Sequence, residues 1–304
     1  MTELPSSQWL PLAEAHAARA DALTAGHRAR AARGETHPVW DFLFRYYSHP
    51  PRRLRMWHPG YGTVLAGAAA RTYLDRSGYV AVPGGVTVGI EYLDTRISTV
   101  RFVAGLLRAT AARPPRFGCF GMHEWAMVYR APAYRHGGVP LRLGAAGTDA
   151  VVESQPLRCS HFDAYRFFTP AAAVRNEGRP TRGTQSRWEQ PGCLHANMDL
   201  YKWAYKLGPL LDSGLLLDCL ELAVAARELD MRASPYDLRE YGFEPIAVEE
   251  FAGRAEYVRG QNAVAERAVP VRAALLARCD RLLACSTATD RRIGSSDFPS
   301  GRNQ

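Results

Sequence analysis

Apolar residues recur at intervals of three and four along most of this chain, the spacing of helices that bury one face. That rhythm predicts a helix over 6–32, ended by Gly34, and a second in "THPVWDFLFRYY", with Thr36 as N-cap and Pro38 in the first turn. "SHPPRRLRMWHPGYG" has no period and reads as an irregular, aromatic-rich connection. The small-residue stretch 63–76 reads as helix, and the alternation of "YVAVPGGVTV" as a hairpin turning at Gly84-Gly85. Residues 94–112 resume the helical period and stop at Arg113-Pro114-Pro115. A short helix is expected from Met122, a minor hairpin near 141–153, a helix in "RCSHFDAYRFF" capped by Ser160, and a polar surface loop over 170–184. "LLLDCLELAVAARELDM" and the segment 250–285 are strongly helical by period. The expected fold is mostly α with one or two small β-hairpins. It is expected as one domain over 1–285, followed by a disordered tail, 286–304, rich in Ser, Thr, Arg and Gly.

One helix breaks the usual division of faces. "PGCLHANMDLYKWAYKLGP", residues 191–209, is punctuated by Pro and Gly at both ends. Leu194, Met198, Tyr201 and Tyr205 make its apolar stripe, and His195, Asp199 and Lys202 form a polar row immediately beside it. An imidazole, a carboxylate and an ammonium at the edge of a core-facing stripe call for a chemical reason.

Composition narrows the classes. A content of 47% hydrophobic and 22% charged residues in 304 positions is that of an ordinary globular protein. No signal peptide is visible and no apolar run approaches a membrane span of about 18 residues, so a cytoplasmic protein without membrane partners is expected. The net charge of +8 is carried almost entirely by arginine, since Lys202 and Lys206 are the only lysines. A basic balance fits nucleic acid or an anionic cofactor and discriminates weakly between them. The six cysteines form no C-x-x-C pair and no C-x-x-C-H, which argues against a zinc knuckle, a dithiol redox motif and covalent c-type haem.

Candidate chemistry gathers in four short segments: His58 in "MWHPGYG", His123 and Glu124 in "GMHEWAMVY", His161 and Asp163 in "CSHFDAY", and His195, Asn197 and Asp199 in "CLHANMD". Histidine serves where a neutral nitrogen binds a metal or a proton moves near neutral pH. In one reading His195 offers its imidazole to a haem iron, Asp199 receives the other ring N–H, and Lys202 with nearby arginines pairs with the propionates. In another, His123, Glu124, His161, Asp163 and His195 surround one non-haem iron or manganese. Spacing leaves both open. "WHPGYG" superficially matches a helix-hairpin-helix DNA glycosylase turn, but Asp75 is in an unconvincing context for its catalytic aspartate. Lys202 as a Schiff-base nucleophile would need burial that the sequence does not reveal.

"HPVWDFLFRYYSHPPRRLRMWHPGYG", "FGCFGMHEWAMVYR", "RCSHFDAYRFF", "QPGCLHANMDLYKWAYKL" and "LDMRASPYDL" resemble a group of actinobacterial proteins, many of them named as 3-methyladenine DNA glycosylases. The resemblance runs over most of residues 36–280. The same group is similar to the haem-dependent L-tyrosine hydroxylases of the tryptophan-dioxygenase-like, all-α haem superfamily. That resemblance implies a b-type haem held by a single histidine, His195, and hydroxylation of L-tyrosine ortho to its phenol by hydrogen peroxide to give L-DOPA in natural-product biosynthesis. It carries no dependable match for the distal residues. Local chemistry nominates His123 or His58 as distal base, with Glu124 and Trp125 tuning the former, and Arg158 or Arg130 as the partner of the substrate carboxylate. No nucleic-acid partner is expected, a glycosylase-like DNA-binding protein is the alternative, and a homodimer is left open.

Overall fold

A computed structural model describes residues 1–134 and 138–294, with residues 287–294 as backbone only. The chain is mostly α, as its periodicity predicts. β1 (Thr2–Leu4) leads into the long α1 (Ser6–Ala32), and short α2 (Phe42–Tyr46) and α3 (Pro51–Leu54) follow. β2 (Thr63–Leu65), β3 (Tyr79–Val82) and β4 (Gly85–Val88) complete a four-stranded sheet in the order β1-β2-β4-β3. β1 runs parallel to β2 with Leu4 opposite Leu65, β2 is antiparallel to β4 with Leu65 opposite Val86, and β3 and β4 form the expected hairpin, pairing Tyr79 with Val88. Gly85 is required there, because a Cβ on it would lie 2.0 Å from the carbonyl oxygen of Leu65.

The helical body consists of α4 (Ile90–Ala111), α5 (Met122–Ala126), α6 (Gly144–Ser154), α7 (Phe162–Tyr165), α8 (Pro170–Ala173), α9 (Gln185–Trp188), α10 (Leu194–Leu207), α11 (Ser213–Arg232) and α12 (Phe251–Gly294). α10 packs along α11, and α12 lies against α4, α11 and α10. Their shared core includes Leu200, Tyr201, Leu217, Leu220, Ala223 and Leu275, all fully buried. Each such aliphatic side chain contributes about 1.5–3 kcal/mol, which is why α10 tolerates polar residues without losing its seat. Capping follows local chemistry: the Asp212 carboxylate accepts from the Leu215 N–H at the start of α11, and Gly208, with φ of 57°, ends α10.

Several expectations fail for definable reasons. Residues 63–76 are not a helix: Thr63–Leu65 is recruited as a strand between β1 and β4, and only Ala68–Tyr73 winds, as a 3₁₀ turn. Residues 141–153 are not a hairpin, because 144–154 is helix α6 and only Leu141 makes an isolated bridge, to Tyr236. The second helix is confined to Phe42–Tyr46, since His37 Nδ1 accepts the N–H groups of Val39 and Trp40 and holds the preceding turn. His161, not Ser160, precedes α7, and the 170–184 segment contains α8 and buried Asn176 rather than a solvated loop. α12 continues to Gly294, so a disordered tail does not begin at 286; residues 295–304 lie outside the described residues.

Candidate metal centre

Three segments converge on one cavity of about 340 Å³, and each brings a cysteine and a histidine: Cys119 with His123, Cys159 with His161, Cys193 with His195. Of these, the three cysteines, His123 and His195 line the cavity, with Arg116, Arg158, Trp188 and Tyr257. His161 lies just behind it, its ring stacked 5.4 Å from that of His195.

Gly121 opens α5 with φ of 72°, and a Cβ on it would come 3.1 Å from Cβ of Ala233, so the backbone there approaches the end of α11 closely. This approach turns the next two residues, Met122 and His123, inward. His123 donates from Nε2 to Asp230 Oδ1 at 2.7 Å, and its Nδ1 lies 3.3 Å from Cys119 Sγ. Burial opposes protonation of His123, but the Asp230 carboxylate and Cys119 outweigh it and hold its pKa well above the ordinary value. Glu124, next in the chain, accepts from Arg227 Nη1 at 3.2 Å, and burial raises its carboxyl pKa against the pull of that guanidinium. Arg227 and Asp230 are one turn apart on α11, fully buried, with Nη1 and Oδ2 at 3.6 Å. Burial would lift Asp230, yet His123, His195 and Arg227 keep it ionised well below the usual carboxylate range.

His195 occupies the first turn of α10, with Nε2 4.0 Å from Asp230 Oδ2 and its ring edge-on to His123 at 4.5 Å. Burial and the neighbouring His123 lower its pKa to about 3, so it is a neutral imidazole at pH 7. Asp230 Oδ2 is buried without a hydrogen-bond partner among the described residues. Donor atoms of His123, Glu124, His195 and Asp230 all lie within 4.8 Å of one another. Two imidazoles and two carboxylates at that spacing can enclose a single divalent ion.

A second layer lies behind. His161 Nε2 sits 3.3 Å from both Glu189 and Asp199, and although burial disfavours its charge, these carboxylates raise its pKa to about 9. Asp199 accepts from the Tyr47 hydroxyl at 2.8 Å and from Lys202 at 2.8 Å, and Lys202 also pairs with Asp163. Burial works against the Lys202 ammonium, but Asp199 and Asp163 hold its pKa above the ordinary value.

The expected residues therefore separate. His123, Glu124 and His195 come together, whereas Asp163 and His161 belong to the layer behind. Asp199 does not hydrogen-bond to His195; it serves His161, Tyr47 and Lys202. Lys202 is buried in ion pairs and is not free for a propionate or as a nucleophile. Arg158 lines the cavity and is half exposed, with Glu177 3.4 Å away. Arg130 does not line it and pairs with Glu153 at the surface. His58 lines a separate cavity and is hydrogen-bonded to the Tyr79 hydroxyl at 2.9 Å. Sequence reasoning missed Asp230, Arg227, Glu189 and Cys119. The available signal for the first two was an acid and a base three residues apart in the last turns of α11.

These residues do not fit a b-type haem. The Asp230 carboxylate 4.0 Å from Nε2 of His195 and the His123 ring 4.5 Å from its ring, with Glu124 and Arg227 beside them, surround this imidazole with charged and polar groups where a porphyrin face needs apolar surface. No helix among the described residues is long and apolar enough to cross a membrane. No protein-family model, no curated protein and no solved structure matches this chain.

Proposed function

We propose that this protein is a non-haem metal enzyme in which His123, His195 and Asp230 hold one divalent transition metal, iron being the ion that two imidazoles and a carboxylate suit best; His123, which Asp230 and Cys119 keep protonated in the metal-free protein, would give up that proton as the ion binds. The observation that carries the reading is that donor atoms of four buried or half-buried groups lie within 4.8 Å of one another beside a cavity, with His195 neutral and Asp230 Oδ2 without a hydrogen bond. Bound there, the ion would supply Lewis-acid or one-electron chemistry to a substrate in the cavity. Glu124, tied to Arg227, is the carboxylate least free to coordinate, and its raised pKa makes it a group that can hold a proton beside the reacting atoms.

The substrate is proposed to be a small aromatic amino acid. Trp188 and Tyr257 offer aromatic walls, Arg116 can pair with a carboxylate, as can Arg158 in competition with Glu177, and about 340 Å³ is within the usual range of small-molecule sites. L-Tyrosine with hydrogen peroxide, the pair implied by the family resemblance, is the first reaction to test. Purified protein should contain or take up one iron per chain, lose it in His195→Ala, and form L-DOPA. A stoichiometric Soret band would instead overturn this reading in favour of haem.

A second reading rests on a different observation. Cys119, His123 and Asp230 stand in the order thiol, imidazole, carboxylate at 3.3 and 2.7 Å, the arrangement of a nucleophile, its base and the group that orients the base. Metal-free protein whose Cys119 is alkylated far faster than the other cysteines, with loss of that excess in His123→Ala, would favour a thiol-dependent transferase or hydrolase.

A further inference from the structure

A second cavity, of about 610 Å³, opens between the α3 region, the 75–77 turn, α4 and the C-terminal end of α10. Its charges are lopsided. Arg53, Arg76, Arg96 and Lys206 line it, against a single carboxylate, Asp75. None of the four cations has an ion-pair partner among the described residues, and of them Arg76 is half-buried while Arg53, Arg96 and Lys206 are exposed. Arg76 lies over the Tyr73 ring at 3.9 Å, which orients its guanidinium without neutralising it. Two buried nitrogens in the walls, Arg76 Nη1 and His49 Nε2, have no hydrogen-bond partner; the first is a donor, and the second is a donor in the tautomer that carries its proton there. Buried polar atoms are normally satisfied, and two orphans in one basic cavity point to a group that supplies acceptors.

The walls also indicate what else the ligand carries. His49 stacks on Tyr205 at 4.7 Å, and Tyr92 and Tyr205 both line the cavity, so flat apolar surface stands beside the cations. The volume far exceeds that of an inorganic anion and suits a small organic molecule. Arg53, Arg96 and Lys206 are exposed at the rim, whereas His49 is buried, so charge draws an anion inward toward the orphan donors.

We propose that this cavity binds a phosphorylated small molecule of mononucleotide size, its phosphate held by Arg76 and His49 with Arg53, Arg96 and Lys206 around it, and its ring against Tyr92 and Tyr205. Phosphate matches the site better than a lone carboxylate, because several cations and two further donors demand a multiply charged acceptor. His58, lying in the same walls, then belongs to ligand binding and not to the metal centre.

Calorimetric titration of the full chain with AMP, pyrophosphate and adenosine tests this. AMP should bind saturably, one per chain, at least tenfold tighter than adenosine, with an affinity that falls as salt rises. Arg76→Gln should weaken AMP at least tenfold. Arg96→Gln, at the exposed rim where folding is not at stake, should weaken it several-fold with an unchanged thermal melt. The proposal is overturned if neither AMP nor pyrophosphate binds at millimolar concentration, if both variants bind AMP as the parent does, or if a single-stranded oligonucleotide binds far more tightly than AMP and is insensitive to Arg76→Gln.

Discussion

Lys202 sits between Asp163 and Asp199, only 7% exposed, and its ammonium is the sole lysine charge in the layer behind the metal centre. Removing one partner of a buried ion pair leaves the other charge unsolvated, which costs about 3–5 kcal/mol. Lys202→Met is therefore expected to lower stability by that order in urea unfolding, while Lys206→Met, one turn on and exposed, should cost under about 0.5 kcal/mol. Buried His49 and half-buried His58 make stability depend on pH. Burial and Arg53 lower His49 to about 4, and burial with Arg76 lowers His58 to about 3, against 6.5 for the free side chain. Below about pH 6.5 the unfolded chain takes up protons that the folded one refuses, so their contribution to stability is present above that pH and is lost as pH falls toward 4. For His49 alone the loss approaches about 3 kcal/mol. Denaturant midpoints of His49→Gln should fall less steeply than those of the parent between pH 6.5 and 4, and parallel curves would refute this.

At the scale of elements, α10 is a wall shared by two cavities. Its first turn brings His195 to the metal centre, its middle anchors Asp199 and Lys202 in the layer behind, and its last turns supply Tyr205 and Lys206 to the second cavity. The short α5 is entered through two consecutive left-handed residues, Phe120 and Gly121. Gly121→Ala would force a side chain into the left-handed region, costing about 1–2 kcal/mol, and against Ala233, and it should displace His123 from Asp230. Equilibrium unfolding and iron titration of this variant should report both a lower stability and at least tenfold weaker metal binding. Unchanged iron affinity would mean that α5 does not position His123. Legibility from sequence differed between elements for physical reasons. His123, Glu124 and His195 were readable because polar groups beside apolar stripes are rare enough to notice. Asp230 and Arg227 were not, because they stand among Glu228 and Arg232 in the charged last turns of α11, and only the packing of α11 against α10 and α12 separates the buried pair from the solvated one. The run of alanines at 68–70 favoured helix locally, but pairing of Thr63–Leu65 with two strands distant in sequence overrode that propensity. In 141–153 the repeated glycines suggested turns, yet Gly144 and Gly147 lie within α6.

For the molecule as a whole, the helical body keeps a basic surface and two internal sites whose chemistry differs, one built from imidazoles, carboxylates and thiols, the other from unpaired guanidinium groups. Arg53, Arg76, Arg96 and Lys206, against Asp75, concentrate part of the +8 charge at the second cavity. The central claim is that His123, His195 and Asp230 form a metal centre. Its most direct test is anaerobic titration of metal-free protein with ferrous ion, followed by metal analysis after gel filtration, on the parent, His195→Ala and Asp230→Asn. One iron retained per parent chain, with retention reduced at least tenfold in both folded variants and no Soret band, is the expected result. Equal retention in parent and variants, or no retained iron in the parent, would contradict it.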